Sequence, residues 1–326
     1  MKKKIKYLKF DFKKKFFWLE NLILVTGTHT SGKSMVSPVI ASLKKIEILR
    51  KIYYLDQLAN LNFFKKLPFE TAKFMANHIL DLSYYEQLIG RNMNFRYEDE
   101  TSVAQSKDPM LFKKRLKIKR GEHVLNIHKK KNTHMLLDTH DGIWFYKFWF
   151  NLGIKNLKII NISRNPIDVV NSWLNLEYGE AEKQILCQIP LISHKKKLKP
   201  FYFYNDIDKK KLNKYDTAVN MVCACIENEL KHFKKINHKR NLIRIDFDNF
   251  AENTNTNISK ICSFLKTSKT VYTNKIMKRE NLPRKILEKD RLKKKERIKK
   301  LVSPVQFKKL LKLEKLYIKK KNLYKW

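Results

Sequence analysis

The stretch Leu22-Ile23-Leu24-Val25-Thr26-Gly27-Thr28-His29-Thr30-Ser31-Gly32-Lys33-Ser34-Met35-Val36-Ser37-Pro38-Val39-Ile40 decides the fold. A short apolar run enters a loop of the form GxxxxGK[ST], Gly27 to Ser34, and a helix-forming segment follows, which is the context such a loop requires. The spacing has a chemical reason. Glycines let the backbone curl so that successive N–H groups face one oxyanion, the helix start adds the positive end of its dipole, and Lys33 supplies a point charge. Pro38 falls late for a first-turn proline and is expected to bend the helix.

Working outward, further apolar runs lie at Met135 to Asp138, Leu157 to Ile162 and Leu242 to Asp246. They alternate little, as strands do in a parallel sheet covered on both faces. Interleaved with helical segments, they predict a three-layer α/β/α fold of the P-loop nucleotide-binding type, with a mostly parallel central sheet, helical insertions and C-terminal helices. Residues 44 to 130 read as mostly helical, with an irregular polar piece near Asn92 to Pro109 of the kind that builds a substrate lid. Lys209 to Ile236 is expected to be a helix whose stripe Tyr215, Val219, Val222, Ile226 and Leu230 faces the core. After Pro283 come two basic amphipathic helices broken at Ser303-Pro304, where Ser caps and Pro starts the second. The expected organisation is a basic lead-in over 1–20, an α/β domain over 21–282, and C-terminal helices over 283–326 packed on it or extending from it.

With 326 residues, 43% of them hydrophobic, the chain can bury one large core. Its net charge of +40 has two readings: an electrostatic footprint for a polyanion, or the composition of an A/T-rich genome, since Lys runs from end to end among abundant Asn and Ile. Cys187, Cys223, Cys225 and Cys262 form no paired CxxC set, so they are expected to be reduced and to hold no metal. No window reaches the roughly 18 apolar residues of a membrane span, and the basic N-terminus has no small-residue cleavage site. The expectation is a cytoplasmic protein. Phe10, Phe12, Phe16, Phe17 and Trp18 among lysines offer a peripheral contact with an anionic inner membrane surface.

The second informative segment is Ile159-Ile160-Asn161-Ile162-Ser163-Arg164-Asn165-Pro166-Ile167-Asp168-Val169-Val170-Asn171-Ser172-Trp173. A strand ends at Arg164, Asn165-Pro166 turns the chain, and a helix begins with Asp168 in its first turn. Arg164 offers a planar fork of donors and Ser172 a hydroxyl, a pair suited to a phosphate monoester.

This segment resembles the 3′-phosphate-binding motif of sulfotransferases, R-D/N-P-x-D-x-x-x-S. Leu137-Asp138-Thr139-His140-Asp141 sits where that family often carries an E-K-T/S-P stretch. Ile243 to Phe250 followed by Ile258 to Leu265 resembles its late Y-E-D-L … I-x-x-F-L strand and helix, so the resemblance covers roughly residues 21 to 266. It implies that Thr30, Ser31, Gly32, Lys33 and Ser34 cradle the 5′-phosphosulfate of 3′-phosphoadenosine 5′-phosphosulfate, and that Arg164 and Ser172 take the 3′-phosphate. In-line sulfuryl transfer to a hydroxyl or amine of a glycan, lipid or small molecule would follow, with no metal and no specific nucleic acid.

The sequence departs from the family in two places. Thr30 stands where the loop usually has a catalytic Lys or Arg, and Thr139 stands where the later stretch would place a Lys. Lys33 is the expected substitute cation. His140 is the expected base, with Asp138 and His29 as rivals. The acceptor pocket is expected near 92 to 110 and 175 to 215, where Trp173, Tyr178, Tyr202 and Tyr204 offer aromatic faces. Two other functions fit the residues. The complete GxxxxGK[ST], with Ser34 and Asp138 placed to serve Mg²⁺, suits an ATP-dependent small-molecule kinase. The charge suits a nucleic-acid or membrane-surface binding protein with a vestigial nucleotide site.

Overall fold

β1 (Asn21–Thr26) runs through the glycine loop into α1 (Lys33–Ala41), and β2 (Ile46–Lys51) follows. α2 (Tyr53–Phe63), α3 (Phe69–Ile89), α4 (Pro109–Arg115) and α5 (Gly121–Lys131) precede β3 (His134–Asp138). α6 (Tyr146–Asn151), β4 (Asn156–Ser163) and α7 (Pro166–Asn175) come next, then a short antiparallel pair, β5 (Pro190–Ile192) and β6 (Leu198–Pro200). α8 (Lys214–Phe233), β7 (Leu242–Asp246), α9 (Phe247–Glu252), α10 (Thr254–Leu265), α11 (Thr273–Arg279), α12 (Glu288–Leu301) and α13 (Pro304–Lys321) complete the order. This computed structural model describes residues 18–119, 121–178, 190–192, 198–200, 202, 212–233, 235–236 and 239–321. The aromatic lead-in other than Trp18, together with Cys187 and Tyr204, lies outside them.

The large sheet has the order β2-β3-β1-β4-β7, and every neighbouring pair is parallel. Its apolar runs are buried throughout because successive residues serve opposite faces. Leu22 and Leu24 of β1, with Met135, Leu137, Leu157 and Ile159, enter the core beneath α3, α7 and α8. Ile23 and Val25, with Leu136, Ile160, Ile162, Ile243 and Ile245, enter the core beneath α1, α9 and α10. The three-layer architecture read from the sequence is therefore the one observed.

Residues 44 to 130, expected to be mostly helical, open instead with edge strand β2. Its sequence Ile46-Glu47-Ile48-Leu49-Arg50-Lys51 starts with the apolar/polar alternation of a strand. At the other end of the chain, Ile298 and Val302 near the end of α12 and Leu310 and Leu313 of α13 are buried in the core shared by α7 and α8. Tyr317 is buried as well, and its hydroxyl donates to Asp246 Oδ2 at 2.5 Å. The basic C-terminal helices are thus part of the packed body. Val219, Val222, Ile226 and Leu230 of α8 are buried as its stripe requires, and Cys223, Cys225 and Cys262 are free thiols. Among the described residues no helix is long and apolar enough to cross a membrane.

Candidate active site

Every strand of a parallel sheet ends on the same edge, and that edge collects the candidate residues. The loop after β1 closes with Ser31 N donating to Thr28 O at 3.1 Å, and Gly32 caps α1 in the left-handed region at φ +99°. A Cβ on Gly32 would sit 2.1 Å from the Phe247 ring, and one on Gly27 2.2 Å from Ile162 O, so both positions require glycine. Met35 N and Val36 N both donate to Gly32 O, so Lys33 N and Ser34 N are the N–H groups of α1 that precede its first internal bonds. Thr28 Oγ1, Thr30 Oγ1 and Ser31 Oγ are buried without a hydrogen-bond partner. Buried hydroxyls are nearly always paired, so this cluster fits an anion with acceptor oxygens. Ser34, next along, is exposed. Lys33 turns inward: it is buried, and its Nζ donates to Gly27 O at 3.0 Å and Thr28 O at 3.2 Å.

On the other side of the loop, β3 delivers Asp138, His140 and Asp141. Thr139 N donates to Val25 O, Asp141 N to Gly27 O and Gly142 N to Thr26 Oγ1, tying this turn to the end of β1. His29 and His140 stack with centroids 3.5 Å apart and planes 7° from parallel. Burial pushes both imidazoles well below the ordinary histidine range. His29 is pushed further by Lys33 and Lys51, and His140 by its neighbour His29 and the same two lysines. Both rings are neutral at pH 7, and a neutral imidazole can accept a proton. Neither His29 Nε2 nor His140 Nδ1 has a hydrogen-bond partner, although His140 Nδ1 lies 3.5 Å from Asp56 Oδ2. Asp138 is buried with Oδ1 unpartnered. Burial raises its carboxyl to about 6 against the pull of Lys33 and Lys51.

Asp56 of α2 is the member of this group that sequence patterning did not single out. Burial pushes its carboxyl up to about 8, outweighing hydrogen bonds from Thr139 and the His140 backbone, with repulsion from Asp138 and Asp141 adding to the shift. A carboxyl raised by folding holds its proton more tightly in the folded state. Its contribution is therefore fully present below the unfolded value near pH 4 and is lost as pH rises through the folded value. We expect Asp56→Asn to unfold at higher urea than wild type at pH 8, by roughly 2 kcal/mol or more, and to gain little at pH 4. Equal gains at both pH values would show that the Asp56 charge is not what costs stability.

The second candidate site lies across the loop. Arg164 extends from the end of β4, its Nη1 donates to Thr30 O at 2.9 Å, and its guanidinium lies 4.8 Å from the Phe247 ring centroid. Its Nε is buried with no partner. Asn165 caps α7 by accepting from Ile167 N, and Pro166 starts the helix. Ser172 Oγ donates to Asp168 O at 3.0 Å along α7, so its hydroxyl is held on its own helix one turn from the entrance. The structure thus brings Arg164 onto the phosphate loop directly, while Ser172 reaches it through no direct contact.

α12 supplies cations that had no local signal. Arg291 donates to Asp168 Oδ2 at 2.9 and 2.8 Å and to Asp248 Oδ2 at 2.8 Å, Lys294 donates to Asp168 Oδ1 at 2.5 Å, and Arg297 reaches Asn171 and Asn175. Trp173 is buried and its Nε1 donates to His29 O at 3.1 Å. Tyr178 packs edge-on against His29 and Trp173, and buried Tyr202 donates to Asp141 Oδ2 at 2.7 Å. Trp173 and Tyr202 are therefore walls of the site rather than exposed platforms. Among the described residues no three His, Cys, Asp or Glu side chains gather as a metal site.

A family model described as "Sulfotransferase domain" matches residues 21–314. Among solved structures, the chain is similar to a sulfotransferase domain from the curacin biosynthetic pathway (10% identity, 78% of this chain and 77% of that one, TM-score 0.43). It is also similar to the sulfotransferase domain of the Synechococcus PCC 7002 olefin synthase (11% identity, 81% and 80%, TM-score 0.44). A sulfotransferase from Mycobacterium tuberculosis H37Rv aligns at 10% identity over 80% and 71%, with a TM-score of 0.41. No curated protein matches the chain.

Proposed function

The chain belongs to the sulfotransferase domain family, and from that premise we propose that it moves a sulfuryl group from 3′-phosphoadenosine 5′-phosphosulfate to a hydroxyl or amine of a carbohydrate, lipid or small-molecule acceptor. The observation that carries the donor assignment is the contact between Arg164 and Thr30 O, which joins the two candidate anion-binding elements at one place. A nucleotide with anionic groups at both its 5′ and 3′ positions fits that pairing, whereas a simple nucleoside triphosphate leaves Arg164 without a role. When bound, such a donor supplies the sulfuryl group: a bond forms from the acceptor oxygen or nitrogen to sulfur, the bond from sulfur to the bridging oxygen breaks, and its electron pair stays on that oxygen to leave 3′,5′-diphosphoadenosine.

The chain's own residues divide the work. The loop from Thr30 to Ser34 offers N–H groups, unpaired hydroxyls and the start of α1 to the 5′ end. Arg164 and Ser172 take the 3′ end. Asp168, in the same helix turn, would repel a phosphate, and the pairing of its carboxylate with Arg291 and Lys294 offsets that repulsion. Neutral His140 and the free oxygen of Asp138 are the proton acceptors within the site.

The test is calorimetric titration of wild type and Arg164→Ala with 3′,5′-diphosphoadenosine without metal, and with ATP and Mg²⁺. Metal-independent binding of the diphosphate is expected, weakened about 100-fold in the variant, since charge-assisted hydrogen bonds are worth roughly 1.5–3 kcal/mol each. Binding of Mg·ATP alone, indifferent to Arg164, would overturn the donor assignment and favour phosphoryl transfer.

A further inference from the structure

Charge developing on a bridging oxygen calls for a cation close to the loop. Thr30 cannot supply one. The Lys33 ammonium is buried and donates to two carbonyls of its own loop. Lys51, the last residue of β2, is placed differently. It stands in register with Asp138 of β3, its Nζ lies 3.8 Å from Asp138 Oδ2, and it donates to Glu100 of the irregular segment between α3 and α4.

Its side chain is 25% exposed and lines an open cleft of about 1060 Å³. That cleft begins at Ser34 and Met35, where the phosphate loop becomes α1, and its walls include Tyr53, Asn92, Asn94 and Thr101. Two carboxylate oxygens on the partners of Lys51, Asp138 Oδ1 and Glu100 Oε2, are buried without a partner. Glu100 lines the cleft, whereas Asp138 lies behind Lys51 with its side chain 2% exposed, so a proton reaches Asp138 Oδ1 only at the cleft's inner end, past Lys51. The field of Lys51 already reaches the site, since it contributes to keeping both stacked histidines neutral.

We propose that sulfuryl transfer takes place at the inner end of this cleft, with Lys51 as the cation facing the phosphate loop and Asp138 as the carboxylate that receives the acceptor's proton. The proposal rests on the donor assignment made above. As the acceptor bonds to sulfur and the bond to the bridging oxygen breaks, Lys51 faces the oxygen that keeps the electron pair, and the acceptor proton passes to Asp138 Oδ1. Lys51 gives the cationic role to a strand end two strands away in the sheet from the loop position where the family usually carries it.

The test uses orthovanadate, which adopts the five-coordinate geometry of an in-line transfer, titrated into protein already saturated with 3′,5′-diphosphoadenosine. Lys51→Ala is expected to weaken the diphosphate by no more than about tenfold and, in protein saturated with it, to lose vanadate by about a further 100-fold, the size of effect seen when one charge-stabilising donor is removed. Lys51→Arg should recover most of that loss. Lys51→Met combined with Asp138→Asn and Glu100→Gln removes the cation and both of its carboxylate partners together, avoids leaving a carboxylate alone, and should still bind the diphosphate but not vanadate. Unchanged vanadate binding in Lys51→Ala overturns the proposal. So does a wild-type protein that binds the diphosphate but takes up no vanadate. Wild-type protein that binds no diphosphate contradicts the donor assignment first.

Discussion

Gly32→Ala should abolish binding of 3′,5′-diphosphoadenosine and lower stability by about 2–5 kcal/mol, the sum of a residue forced to positive φ and an overpacked core. Gly32 has φ +99°, and its Cβ would lie 2.1 Å from Phe247 Cδ2 and 2.3 Å from Cε2. Phe247 has little room to yield, being buried beneath α1 at the first position of α9. Its ring also carries the Arg164 guanidinium. A single methyl group therefore disturbs the loop and the seat of Arg164 together. Gly153→Ala is the control: its φ is +84°, yet nothing lies within 4 Å of the added carbon, so it bears only the backbone penalty. Urea unfolding and calorimetry on both variants decide the matter. Equal stability losses and retained binding in Gly32→Ala would mean that the ring contact is readily relieved.

Arg291→Met is expected to cost about 3–5 kcal/mol at pH 7, because it removes one member of a largely buried ion cluster and leaves the others in place. Asp168 is 4% exposed, and the same guanidinium serves Asp248. Burial raises the Asp168 carboxyl, but Lys294, Arg291 and Arg164 more than reverse that and hold it below the usual range. A carboxylate lowered by folding contributes stability that is present above its unfolded value near pH 4 and is lost as pH falls through the folded value. The gap between wild type and Arg291→Met should therefore hold from pH 7 to about pH 4 and narrow as pH falls below about 4, and Asp248→Asn added to Arg291→Met should recover part of the loss. A gap independent of pH would assign the effect to lost packing of the Arg stem instead.

Four of the five strands of the main sheet were legible in the sequence: β1, β3 and β4 are interior and bury both faces, and edge strand β7 is nonetheless almost wholly buried, its run interrupted only by Arg244. β2, at the opposite edge, mixes Glu47, Arg50 and Lys51 with its apolar residues, and was absorbed into the helical pattern that follows. With it went Lys51. The phosphate loop and the Arg164 turn could be found because their spacing is local, eight and nine residues respectively. Asp56 could not, since a carboxylate in the first turn of a helix looks like ordinary dipole complementation until the neighbouring strand ends arrive. Nor could Arg291 and Lys294: in a chain with 71 Lys and Arg residues, no local pattern marks the two that pair with Asp168.

The grip of α12 on α7 also orders events during synthesis. Asp168 and Arg291 are separated by 123 positions, so the ribosome completes β4, α7, α8 and β7 well before the partner of the buried carboxylate emerges. Such a distant contact adds to contact order and slows the final closure. The residues of the glycine loop and of Arg164 thus leave the ribosome before the helix that neutralises Asp168 beside them.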